Sequence, residues 1–156
     1  MKIREVMTPE PKAIWLTESL ADAAQLMWEN DCGVLPVIKD GRKIVGVITD
    51  RDICMAAAMK QSNPAEISVE EVMTGQVYSV NPEDDVVQAL QAMQEHKIRR
   101  LPVVSAEGEL EGILSLIDIA LKASESNGID YGDFVRTFQA IGQHTLPVQA
   151  AVAVAS

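Results

Sequence analysis

Apolar residues at Leu20, Ala23, Ala24 and Met27 follow the i, i+3, i+4, i+7 spacing of one helix face. Val86, Leu90 and Met93 repeat that rhythm after Asn81-Pro82, a pair suited to a cap and a first-turn proline. Each helical stretch is followed by two short apolar runs of strand type. Residues 34–38 and 101–104 are the first of each pair, with Asp40-Gly41 and Glu107-Gly108 marking the turns after them. Residues 44–48 and 110–114 are the return strands, each interrupted by a glycine, Gly46 and Gly112. A further helix is predicted to begin at Thr49 and at Ser115. The order helix, strand, strand, helix thus occurs twice. It predicts an α/β fold with short three-stranded sheets and helices outside.

The two halves are copies of each other. Glu5-Val6-Met7-Thr8 recurs 66 positions later as Glu71-Val72-Met73-Thr74. The same shift carries Leu35-Pro36-Val37 onto Leu101-Pro102-Val103, and Asp52-Ile53 onto Asp118-Ile119. One offset held through that many landmarks is an internal duplication. The expected units are residues 1–66 and 67–123, followed by a tail at 124–156. A unit of about 60 residues has too little interior to be comfortable alone, so the copies are expected to share a core as a pseudo-twofold pair with a cleft between them. In the tail, Phe134, Phe138 and Ile141 share one face of a short docking helix over 133–141, stopped by Gly142. Beyond Thr145 the chain is expected to fray.

Composition narrows the function classes. The 156 residues are 47% hydrophobic and 23% charged, which excludes disordered and coiled-coil chains. No apolar run approaches the roughly 20 residues of a membrane span. The start Met1-Lys2-Ile3-Arg4-Glu5 has no apolar leader. Cys32 and Cys54 fit neither a disulfide framework nor a zinc pattern, and His96 and His144 lack zinc-ligand spacing. Reduced thiols and a cytoplasmic location are expected. Net charge is −10, divided as −2 over residues 1–66 and −8 over the remainder. Such a surface repels polyanions, so neither nucleic acid nor a membrane is an expected partner. Against that background one dense basic island stands out, His96-Lys97-Ile98-Arg99-Arg100.

Two copies of a strand-to-helix motif complete the pattern: Gly46-Val47-Ile48-Thr49-Asp50-Arg51-Asp52 and Gly112-Ile113-Leu114-Ser115-Leu116-Ile117-Asp118. With the duplicated Val-Met-Thr and Leu-Pro-Val segments, the chain resembles a tandem pair of cystathionine-β-synthase-type (CBS) domains, a Bateman-type module, over residues 1 to about 123. The resemblance implies a regulatory module that binds AMP, ADP, ATP or a related adenosyl compound between its repeats. It implies that Asp52 and Asp118 accept ribose hydroxyls, with Thr49 and Ser115 near the phosphates. Arg99 and Arg100 hold the place where the family often puts a basic residue against phosphate; Arg51 and Lys12 are further candidates. The adenine wall falls by the same resemblance near Val77, Tyr78 and Pro102. Read without the family, Thr49-x-x-Asp52 and Ser115-x-x-Asp118 are also capping boxes that need no ligand.

No phosphate-cradling glycine loop, nucleophile elbow or Cys/His pair is present, so catalysis is not expected and no cofactor is called for. Residues 53–59 are apolar all round, which predicts a homodimer through that helix. With no catalytic domain in view, the regulated protein is expected to be a separate chain. The alternative is a ligand-free dimerisation and interaction scaffold in which the Thr/Ser-x-x-Asp pairs act as caps alone.

Overall fold

In the computed structural model, residues 1–122 and 129–143 are described. His144 and the segment expected to fray beyond Thr145 lie outside the described residues.

Each predicted helix begins where a side chain can satisfy its first N–H groups. Helix α1 (Leu20–Glu29) is capped by Ser19, whose hydroxyl accepts the Asp22 N–H at 3.1 Å while the Asp22 carboxylate accepts the Ser19 N–H at 3.0 Å. It buries Leu20, Ala23 and Met27, with Ala24 outside that face. Strands β3 (Val34–Lys39) and β4 (Lys43–Thr49) form a hairpin, closed by Asp40 and Gly41 at φ +42° and +83°. Helix α2 (Asp50–Lys60) then starts at Thr49. The second copy repeats the series as α3 (Val86–His96), β5 (Arg100–Val104), β6 (Leu110–Ser115) and α4 (Leu116–Lys122).

One predicted start moves. Asn81-Pro82 does not cap α3. The Asn81 side chain accepts the Glu83 N–H in a local turn, and Asp85 is the cap, accepting the Val87 N–H at 3.0 Å. An asparagine offers its side-chain oxygen to the backbone two residues on in either setting, so its presence alone does not locate a helix.

Two-residue strands complete the sheets. The first, β1 (Thr8–Pro9), pairs antiparallel with β6, giving the order β1-β6-β5. The second, β2 (Ile14–Trp15), runs parallel to β3, giving β2-β3-β4. The lead-in of the first copy therefore belongs to the sheet of the second. The converse also holds: Thr74 and Val47 exchange backbone hydrogen bonds at 2.9 and 3.0 Å. The hairpin tips meet as well, where the Leu110 N–H donates to the Arg42 carbonyl at 2.9 Å.

Instead of one shared core, the buried residues fall into two clusters. Ile3 and Val6 pack with Val86, Leu90, Met93, Leu101 and Leu114 of the second copy. Ile67 and Val69 pack with Leu20, Met27, Leu35 and Ile48 of the first. Each unit thus completes its interior with the lead-in segment of the other.

Helix α5 (Tyr131–Gly142) lies against α3. Phe134 and Ile141 pack on the second cluster as expected, but Phe138 is 65% exposed. The central inward position is Thr137, whose hydroxyl donates to the Asp133 carbonyl at 2.8 Å. Positions 137 and 138 flank the line from Phe134 to Ile141 about equally, and it is the contact with α3, where the Thr137 hydroxyl also reaches the Leu90 carbonyl at 3.5 Å, that turns 137 inward.

Candidate functional site

The two Thr/Ser-x-x-Asp motifs adopt the same geometry. Thr49 is the cap of α2: its Oγ1 accepts the Asp52 N–H at 3.1 Å, and its own N–H and hydroxyl donate to Asp52 Oδ2 at 2.9 and 2.7 Å. Ser115 and Asp118 reproduce this with distances of 3.1, 2.8 and 2.7 Å. In both cases Oδ2 is committed to the cap, while Oδ1 has no hydrogen-bond partner among the described residues. Both aspartates are half-buried. A carboxylate oxygen has two lone pairs, so a free Oδ1 can still accept from a hydroxyl-bearing ligand while Oδ2 holds the helix start.

These motifs open onto two adjoining cavities that share Val34, Pro36, Arg100 and Ile113. The first, about 470 Å³, brings together Thr49, Arg51, Arg99, Arg100 and Pro102. The second, about 360 Å³, brings together Lys12, Ser115, Asp118 and Arg100. Asp52 is tied to Thr49 but does not itself line the first cavity. Val77 and Tyr78 line neither. The Tyr78 ring stacks on His96 with centroids 3.5 Å apart and planes 12° from parallel, which commits its face to the protein's own ring.

Sequence reading did not place Asp50, Lys97, Glu10 or Asn30 in the cleft, yet each lines one of these cavities. Lys97 sits inside the basic island and closes α3 in a left-handed conformation, φ +54°. That island was the available signal for it. Asp50 had a subtler one: the duplication pairs it with Leu116, so the two helix starts differ in charge. The Asp50 carboxylate rests against Gly33, where a Cβ would come within 2.8 Å of its Oδ2.

The charge distribution is unequal. Arg51 from the first copy and Lys97, Arg99 and Arg100 from the second face the Thr49 cavity, with Asp50 as the opposing carboxylate. In the Ser115 cavity Lys12 and Arg100 meet Glu10 and Asp118, so the signs are nearly balanced. Arg100 belongs to both. Its charge also reaches Cys32, whose thiol is pushed up by burial, with a Val34 backbone hydrogen bond and Arg100 pulling against that. Among the described residues no three of His, Cys, Asp and Glu gather as a metal-binding group.

Comparison with known proteins bears on the family and the fold. The CBS domain family matches residues 3–58 and 69–125. The CBS domain-containing protein YhcV of Bacillus subtilis is 34% identical over 128 residues, covering 81% of this chain and 89% of YhcV. Hypoxic response protein 1 of Mycobacterium tuberculosis is 34% identical over 117 residues, covering 75% of this chain and 81% of that protein. A crystal structure of Hypoxic Response Protein I with two coordinated zinc ions has a TM-score of 0.73 at 32% identity, over 80% of this chain and all (100%) of that one. A crystal structure of CBSX2 in complex with AMP has a TM-score of 0.64 at 27% identity, over 91% of this chain and 98% of that one. Two family matches on the two duplicated halves, each closing its sheet with the other's lead-in, make the conclusion plain: this chain belongs to the CBS-domain family and is a tandem CBS pair.

Proposed function

We propose that the cleft between the repeats binds an adenosine nucleotide, AMP, ADP, ATP or a related adenosyl compound, and that the protein is a regulatory sensor rather than an enzyme. The observation that carries this reading is the gathering of Arg51, Arg99 and Arg100 beside the Thr49–Asp52 cap in one cavity of an otherwise acidic protein. Guanidinium groups suit phosphate through their fork of donors, and the free Oδ1 of each aspartate suits a ribose hydroxyl. The likeness to AMP-bound CBSX2 supports the same ligand class. Occupancy is passed on by a change in the relation of the two repeats when ligand enters between them. Free Cys32 and Cys54 support a cytoplasmic location, and no helix among the described residues is long and apolar enough to cross a membrane.

The test is calorimetric titration with adenosine, AMP and ATP. Asp118→Asn and Asp52→Asn should each weaken a site by about 1.5–3 kcal/mol for all three ligands, since a hydrogen bond to a charged group is lost. Arg100→Gln should weaken AMP and ATP and spare adenosine. The scaffold reading draws support from the capping boxes, which are complete without ligand. It predicts lower melting temperatures for the aspartate variants and no heat of binding for any nucleotide.

A further inference from the structure

The groove between α4 and α5 has a different chemistry from the nucleotide cleft. We propose that it is a second binding site, for an amphipathic anion consisting of an apolar chain with a carboxylate head. The groove encloses about 470 Å³, within the roughly 300–1,000 Å³ of small-molecule sites. Leu116, 4% exposed, lies in its lining, with Phe134 and Ile141 from α5. Ile117 and Phe138 also line it and are 63% and 65% exposed, although they are large apolar groups. Arg99 and Arg100 are its only charged lining residues among those described. Neither is in an ion pair among the described residues.

Among the described residues the lining is apolar except for Ser115 and two guanidinium groups, all shared with the nucleotide cleft, and it holds no carboxylate, which favours a ligand of matching polarity. The arginine fork receives a carboxylate through two parallel hydrogen bonds, and the hydrocarbon removes Ile117 and Phe138 from water. Among the described residues a nucleoside finds no acidic acceptor here for its ribose, in contrast to the cavity that Asp118 lines. Three of the apolar lining residues come from α5, and α5 lies beyond the residues that match the CBS family. The groove is therefore built jointly by the second repeat and by a helix outside the family-matched residues.

Octanoate is the probe, titrated calorimetrically into the full chain without nucleotide, with octylammonium and octanol as controls. Octanoate should bind at least ten-fold more tightly than either control. Phe138→Asp and Ile117→Asp alter exposed positions, so the fold should persist by circular dichroism, and each should weaken octanoate at least ten-fold. Arg99→Gln should reduce octanoate to the level of octanol. The proposal is overturned if the wild type does not distinguish octanoate from octanol, or if Phe138→Asp binds it unchanged. It is also overturned if light scattering shows that Phe138→Asp dissociates a dimer while wild-type octanoate binding is absent, since the face then belongs to a second copy. Nucleotides are absent throughout, so neither result depends on the cleft reading.

Discussion

At the scale of single residues, the two interrupting glycines are explained by what crosses over them. A Cβ on Gly46 would come 2.6 Å from Met73 Sδ and 3.0 Å from the Thr74 carbonyl; on Gly112 it would come 2.5 Å from Met7 Sδ and 3.2 Å from the Thr8 carbonyl. The repeated Val-Met-Thr and the repeated glycine are thus two sides of one contact made twice. The methionine sulfur can swing away, but the carbonyl is backbone, fixed in the Thr74–Val47 pair. Gly46→Ala and Gly112→Ala are each expected to cost about 1–3 kcal/mol, the usual penalty of overpacking, measured by urea unfolding. Adding Met73→Ala to Gly46→Ala should recover only part of the loss. Full recovery would place the whole clash on the sulfur. The aspartates add a second point at this scale: the cap engages Oδ2 alone, so the ligand role proposed above would fall on the other oxygen of the same carboxylate.

At the scale of elements, the periodic helices and alternating strands were legible because their burial is local: Leu20, Ala23 and Met27 face one way whatever else the chain does. What escaped was set by partners distant in sequence. The two-residue strand β1 carries no periodicity, and its place is fixed by its pairing with Ile113 and Gly112. Tyr78 stacks on His96, a contact across the length of α3 that no periodicity announces. Residues 53–59 of α2, apolar all round, are the expected dimer face. The helix buries only Ile53, leaving Met55 and Met59 at 48% and 77% exposure. If a second copy covers them, Met55→Glu should give a monomer in light scattering with the CD spectrum retained; a wild-type monomer would remove the idea. The far end of α2 is tied to the second lead-in by Lys60 and Glu71 at 2.8 Å. Lys60, with the Ser68 N–H and hydroxyl, holds the Glu71 carboxyl down to about 2 from an ordinary 4.5. A depressed value favours the folded state above the ordinary pKa, and that contribution is lost as pH falls from 4.5 towards 2. Wild type should therefore lose more melting temperature than Glu71→Gln across that window. Both groups are partly exposed, so the difference should shrink in high salt.

At the scale of the whole molecule, the exchange of lead-in segments makes the stability of each unit depend on residues that precede the other. The Ile3 N–H donates to the Asp84 carbonyl at 3.0 Å, and the Val86 N–H to the Met1 carbonyl at 3.0 Å, so the first residues are laced to the start of α3. The Leu20 N–H donates to the Ile67 carbonyl at 2.9 Å, and the Val69 N–H to the Glu18 carbonyl at 2.8 Å, doing the same for α1. Ile3 and Val69 are fully buried, each in the cluster of the other repeat. Truncating Ile3 to alanine should cost about 2–5 kcal/mol, the range for losing a large core side chain. The location of the damage is the sharper expectation. If the clusters are as independent as they are drawn, Ile3→Ala should accelerate hydrogen exchange first in α3, β5 and β6, although the mutation lies in the first copy. Val69→Ala should do the reverse, opening α1, β3 and β4 while the second sheet keeps its protection. Equal loss of protection in both sheets for both variants would mean that the hairpin-tip pairing of Arg42 with Leu110 and the shared cleft fuse the two units into one cooperative body. Loss confined to the repeat that carries the mutation would contradict the exchange itself.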